Sequence, residues 1–383
     1  MLPEETSERG TGGSRSELPR RFAGFLATSL LSRDPLGGVY RALSLEEKPE
    51  GFVRLRILDG AELSRDRAAS AVRDLAEKHP LPVSPVLAGN SRAGVHDGVP
   101  WVAWDESHGH ALDQVLASAS ASRRGARLPP EHALLIADRL ALALEHAARG
   151  GGRSSRAHGL LWPGFVTIGS AGDVRVGGFG MAPAVLPWAS APELETEIGP
   201  YLAPEARENA NAVSEPGADV YSVGAVLLHL LSGTRPPGRA AAEAIGPAEL
   251  YPPGVAEMLR GALSRAVSRR PSATQLRRDI GGVLVAGGLQ PSSRALAAFV
   301  ARRMETAAAG AAESPPAGEI PAEPRLSEDE EWELALSRLE PEAAAEPALR
   351  RLPRSGPPAR VPLPPEARDP LSPGGPRRNP LPR

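Results

Sequence analysis

The sequence predicts an α+β protein of two lobes, a small sheet-rich half followed by a larger helical half, ahead of a long polar tail. Three observations carry this. Between Arg21 and Trp104, short β-like runs alternate with turn residues. From Pro129 onward, apolar residues recur at helical spacing over long segments. Beyond Thr306 the composition shifts to Pro, Ala, Glu and Arg, with Trp332 as the lone aromatic. The expected organisation is a disordered leader at 1–20, a first lobe at 21–104, a second at 105–305 and a disordered tail at 306–383.

In the first lobe the β-like runs are Gly37–Ala42, Phe52–Leu58 and Pro100–Trp104. A helical stretch from Ala61 to Glu77 interrupts them, with Ala68, Ala71, Val72 and Leu75 on one face. His79-Pro80 ends it, because proline pushes the residue before it out of the α region. In the second lobe Pro129-Pro130 opens a helix over Glu131–Ala148 that is apolar almost all round, as a buried helix must be. Val220–Leu231 is equally apolar and stops at Ser232-Gly233. Further helices are expected over Glu249–Ala266, Ala273–Val283 and Arg294–Glu305.

Composition excludes several function classes. The net charge of −2 gives no electrostatic case for nucleic acid or an anionic membrane. The chain has no cysteine, which removes disulfides, thiolate metal sites and a Cys nucleophile. Its N-terminus lacks the apolar core of a signal peptide, and no run approaches the ~18 apolar residues of a membrane span. The expected location is cytoplasmic. Of 44 basic residues only Lys48 and Lys78 are lysines. His108 and His110, the closest histidine pair, lack metal-ligand spacing and read as surface or hinge residues. Trp101 and Trp104 read as core or pocket-wall residues.

A set of motifs then narrows the class. Gly37-Gly38-Val39-Tyr40 follows a turn, and Val53-Arg54-Leu55-Arg56 follows as an apolar strand. His158-Gly159-Leu160-Leu161-Trp162-Pro163-Gly164-Phe165 precedes Gly177-Gly178-Phe179-Gly180. Ala203-Pro204-Glu205, Asp219-Val220-Tyr221-Ser222-Val223-Gly224 and Arg270-Pro271-Ser272 come later. In order and spacing these resemble the glycine loop, the V-A-I-K strand and the HRD, DFG and APE signatures of bacterial serine/threonine protein kinases. The resemblance spans about Arg21 to Met304.

It implies a two-lobed kinase-like fold with its chemistry removed. Ser32 and Asp34 stand for the first two glycines of the phosphate loop, ahead of Gly37 and Val39. Arg56 stands for the lysine that pairs with phosphates and with a Glu of the next helix, whose position falls near Ser70. Leu160 replaces the catalytic Asp, Phe165 the metal-holding Asn, Gly178 the magnesium-binding Asp, and Trp162 a phosphate-contacting Lys. None of these side chains can take a substrate proton or ligate a hard cation. The scaffold positions are present: His158 and Phe179 for the apolar spine, Glu205 and Arg270 for a buried ion pair, and Asp219 for the catalytic-loop backbone. Ser190 and Thr196 read as an unmodified loop, since Gly159 replaces the arginine that would read a phosphate.

The expected function is that of a pseudokinase, a regulatory or scaffolding module in bacterial signalling. No metal and no cofactor are expected, with ATP bound without magnesium as an open alternative. An active kinase with unconventional motifs and a metal-independent nucleotide sensor are the rival readings. Protein partners are expected through the second lobe and the tail. In the tail, Ser327-Glu328-Asp329-Glu330 is a capping box that opens a short helix over 327–339, with Trp332, Leu336 and Leu339 on one side. The proline-rich stretch 353–383 could dock in an aromatic groove or act only as a linker.

Overall fold

The computed structural model describes residues 18–45, 51–60, 65–76, 83–89, 92–105, 108–118, 127–149, 157–182, 192–208 and 215–313. The tail calls, with Trp332, Leu336, Leu339 and 353–383, lie outside these residues, as do Lys48, Lys78 and Ser190.

The first lobe is a six-stranded antiparallel sheet and one helix. Its strands are β1 (Arg20–Phe22), β2 (Phe25–Asp34), β3 (Gly37–Ser44), β4 (Phe52–Ile57), β5 (Arg92–His96) and β6 (Val99–Asp105). They lie in the order β1-β2-β3-β4-β6-β5. A tight turn at Pro35-Leu36 joins β2 to β3, with Asp34 opposite Gly37. Gly37 has φ +129°, and a side chain there would meet the Ile57 carbonyl at 2.2 Å. Only glycine fits. Helix α1 (Arg65–Ala76) packs on β5 and β6 and buries Ala68 and Val72.

A second sheet of β7 (Gly109–Ala111), β8 (Val166–Gly169) and β9 (Val174–Val176) begins the larger lobe. Its helices are α2 (Leu112–Ala117), α3 (Pro130–Arg149), α4 (Pro192–Glu197), α5 (Pro204–Glu208), α6 (Pro216–Ser232), α7 (Val255–Ala262), α8 (Ala273–Ala286) and α9 (Ser293–Glu313). Helices α3 and α6 are buried nearly all round and pack on one another, with α8 against α3. The lobes are stitched together at Val86–Ala88. There the Ala88 N–H donates to the Val176 carbonyl at 2.9 Å, and the Val176 N–H donates to Val86 at 3.0 Å. One apolar cluster runs through both lobes, from Leu36, Val72 and Trp104 to Phe165, Leu134 and Leu227.

Several sequence expectations need correction. The helix expected over Glu249–Ala266 is only Val255–Ala262, because Pro252-Pro253-Gly254 breaks the run after a single 3-10 turn at Ala248–Leu250. Helix α9 continues to Glu313, beyond the expected tail boundary at 306, and buries Leu296 and Val300 on a four-residue spacing. Strand β1 starts at Arg20, inside the expected leader. Strands such as β7, with Gly109-His110-Ala111, carry no apolar run and exist because backbone pairing holds them against β8.

Candidate functional site

The floor of the interlobe cleft is the loop from His158 to Phe165, and Asp219 at the start of α6 fixes it. The Asp219 carboxylate accepts the backbone N–H groups of His158 at 2.7 Å and Gly159 at 2.8 Å. Burial pushes Asp219 up to about 7 against those two hydrogen bonds. His158 is fully buried, and burial lowers it to about 4, so the ring is neutral. One tautomer satisfies its neighbours: Nε2–H donates to the Gly177 carbonyl at 2.8 Å, and Nδ1 accepts the Leu160 N–H at 3.3 Å. The Phe179 ring sits 4.6 Å from His158, linking the two motif segments.

Arg56 lies on the central strand β4, where its side chain is 1% exposed. Its partner is not a helix carboxylate. Ser70, the residue nearest the expected Glu position on α1, is exposed. Instead, both carboxylate oxygens of Asp34, at the tip of the β2–β3 hairpin, lie 2.8 Å from Arg56 Nη1. Asp34 is itself only 7% exposed, so two charges that are each costly to bury are buried together. The rest of the hairpin is fastened down. Asp34 accepts the Leu36 N–H at 2.9 Å, Gly60 N–H donates to the Leu36 carbonyl, and Asp59 accepts from Gly38 N–H and from Arg33. Leu36 is fully buried in the same cluster as Trp104 and Phe165. Ser32 and Val39 flank this closed hairpin on β2 and β3.

The three positions at which the resemblance implies acids or amides lie close together, and all are apolar. Leu160 is fully buried. The Phe165 ring packs on His158, Trp104 and Trp162, with the Arg56 guanidinium 4.9 Å above it. Gly178 has φ +78°, and a side chain there would enter the Phe165 ring at 2.5 Å. Magnesium does not fit this arrangement, since Phe165 and Gly178 offer no oxygen. Among the described residues, no three His, Asp or Glu side chains gather as a metal site would require. A triphosphate does not fit the hairpin as it stands, because Asp34 already holds Arg56.

Below the cleft, Glu205 on α5 meets Arg270 in a two-point contact, Nη2 to Oε2 at 2.8 Å and Nη1 to Oε1 at 2.5 Å. Arg270 also donates to the carbonyls of Ser264 and Gly217 and lies over the Tyr221 ring. Burial raises the Glu205 carboxyl, but the Arg270 hydrogen bonds, a backbone hydrogen bond and the Arg270 charge together outweigh it and leave it below its ordinary value. In front of the cleft an open cavity of about 1110 Å³ runs between the hairpin, α2, Trp162 and α4. Asp113, Glu193, Tyr201 and His229 line it, and burial raises Asp113. Tyr201 and His229 share a 2.7 Å hydrogen bond.

Sequence reasoning singled out Asp34 and Arg56 as two separate departures and did not join them. The signal was available, since a lone Asp in a glycine loop and a lone Arg in an apolar strand each need a partner. It also missed Leu36, Asp59 and the cavity residues Asp113, Glu193 and His229, which no local pattern marks.

No protein-family model matches the chain. It is 30% identical over 152 residues to the serine/threonine-protein kinase PknA of Mycobacterium tuberculosis, and equally to PknA of Mycobacterium bovis. Those residues are 39% of this chain and 32% of PknA, so the match spans about a third of the relatives' length. Among solved structures it resembles a single-residue variant of the PknI kinase domain of Mycobacterium tuberculosis. The TM-score is 0.54 at 22% identity, covering 69% of this chain and 97% of that domain. A second PknI kinase domain structure gives 0.53 at 23% identity, covering 71% and 98%. The class is therefore a two-lobed protein kinase-like fold. More particularly, it is the fold of bacterial serine/threonine protein kinases. Among the described residues no helix is long and apolar enough to cross a membrane.

Proposed function

We propose that this protein is a catalytically inactive pseudokinase that works as a regulatory or scaffolding module in the bacterial cytoplasm. The observation that carries the reading is the Phe165 ring standing against the left-handed Gly178. Phosphoryl transfer on this fold is positioning and electrostatics around phosphates and metal ions, and it needs oxygen ligands at these two places. Leu160, fully buried, can neither orient nor deprotonate a hydroxyl. The scaffold contacts of Asp219, His158 and the Glu205–Arg270 pair keep the larger lobe shaped while the chemistry is lost. A binding role is supported by the open cavity beside Trp162, whose Asp113 and Glu193 carboxylates take part in no ion pair among the described residues.

The test is incubation with magnesium and γ-labelled ATP, alone and with a generic protein substrate. No label above background is expected in either. Transfer that requires magnesium and stays with the folded protein through a second purification step would overturn the reading.

A further inference from the structure

We propose that the cavity behind the His158 loop, walled by Glu145 and Asp219, is a binding site for a small organic cation with N–H donors, of the guanidinium or primary ammonium class. It shares no residue with the cavity in front of the cleft. The proposal goes beyond catalytic inactivity and does not depend on it.

The first observation is the cavity itself. It encloses about 320 Å³ between the last turn of α3 and the first turns of α6 and α8. That is the small end of the range for ligand pockets, roughly 300–1,000 Å³. Exposed Ser272 and Thr274 stand at its mouth, and buried Leu144 lies inside.

The second observation is an idle carboxylate oxygen. Glu145 is 7% exposed. Its Oε2 accepts from Arg277 at 3.2 Å and faces Arg149 at 3.5 Å. Its Oε1 is buried with no hydrogen-bond partner among the described residues. A buried carboxylate oxygen without a donor is costly, so Glu145 is set for a donor from elsewhere. The last torsion of a Glu side chain is broad, so a turn of the carboxylate presents Oε1 to the cavity without moving α3. Arg149 is 68% exposed and already reaches this carboxylate, so the approach is wide enough for a guanidinium.

The third observation is a buried acid without a cation. Asp219 accepts from the His158 and Gly159 N–H groups and joins no ion pair among the described residues. Burial therefore holds its carboxyl near 7. A cation in the cavity would face both acids. By keeping Asp219 ionised it would tighten the hold on the His158 loop, which links this site to the floor of the cleft.

The test is calorimetric titration of the full-length protein with agmatine, which carries a guanidinium at one end and a primary ammonium at the other. Salt at about 0.15 M screens loose surface pairing. Wild type is expected to bind a single agmatine per chain. Tetramethylammonium, a cation without N–H groups, should not displace it. Glu145→Gln leaves Arg277 its bond to Asp138 and should weaken binding at least about tenfold. Thr274→Trp, at an exposed position, fills the mouth and should weaken it as much; it decides the matter if Glu145→Gln fails to fold. No saturable binding to wild type would overturn the proposal. Displacement by tetramethylammonium would do the same, since charge alone would then suffice. Agmatine held by the Asp113 and Glu193 cavity instead would leave both variants binding like wild type, and that too would overturn it. A capped Gly-Arg-Gly peptide should bind more weakly than agmatine; tighter binding would make a partner protein's arginine the occupant and overturn the assignment to a small molecule.

Discussion

At Gly178 the backbone takes φ +78°, and any side chain would meet the Phe165 ring at 2.5 Å. The two substitutions are thus one packing solution: the aromatic ring occupies the space that a carboxylate at 178 would need. Restoring the acid alone should fail. Gly178→Asp should bind no magnesium and should destabilise the protein by about 2–4 kcal/mol, from the left-handed backbone and the crowded ring together. A urea midpoint equal to wild type would show that the ring yields freely. Arg56 and Asp34 make the same point with charge, since each is an oddity alone and a partner to the other.

Among the elements, α5, α6 and the segment before α8 are held at one node. Arg270 bonds Glu205, the Gly217 carbonyl and the Ser264 carbonyl, and its side chain is fully buried. Removing one partner of such a pair costs more than the pair is worth, because a charge is left buried. Glu205→Ala should therefore lower stability by about 3–5 kcal/mol, read as a urea midpoint well below wild type. Glu205→Gln, which keeps an acceptor for Arg270, should fall between the two. An unchanged midpoint in Glu205→Ala would show that the two backbone carbonyls suffice. At this scale the sequence was readable where a helix is apolar all round, as in α3 and α6. It misled where prolines cut a periodic run, as before α7.

For the whole molecule, buried histidines set the response to acid. Burial lowers His158 and His229 from 6.5 to about 4. Their folded pKa lies below the unfolded value, so the unfolded chain takes up protons first and stability falls as pH drops from about 6.5 to 4. Asp219, raised by burial to about 7 from 3.8, has the opposite sign and gains stability as pH falls through that window. Among these three groups the balance is two against one, a loss of about 1.4 kcal/mol per pH unit. His229→Gln, which keeps an acceptor for Tyr201, should reduce the loss of stability between pH 6.5 and 4.5 by about 1.4 kcal/mol per pH unit in urea titrations. The same slope in variant and wild type would show that His229 is not held neutral.

The sequence by itself determined the class of fold, the order of the motifs and the loss of oxygen ligands at 160, 165 and 178. Those are properties of residue type and spacing, which a chain displays before it folds. Only the tertiary structure decided what surrounds those positions. Asp34 and Arg56 are 22 residues apart and meet because β2, β3 and β4 pair side by side. Leu36 enters the core because the turn at Pro35-Leu36 folds over the end of β4. Long-range pairing of this kind leaves no local periodicity to read, because it depends on which strands become neighbours rather than on any residue's own preference.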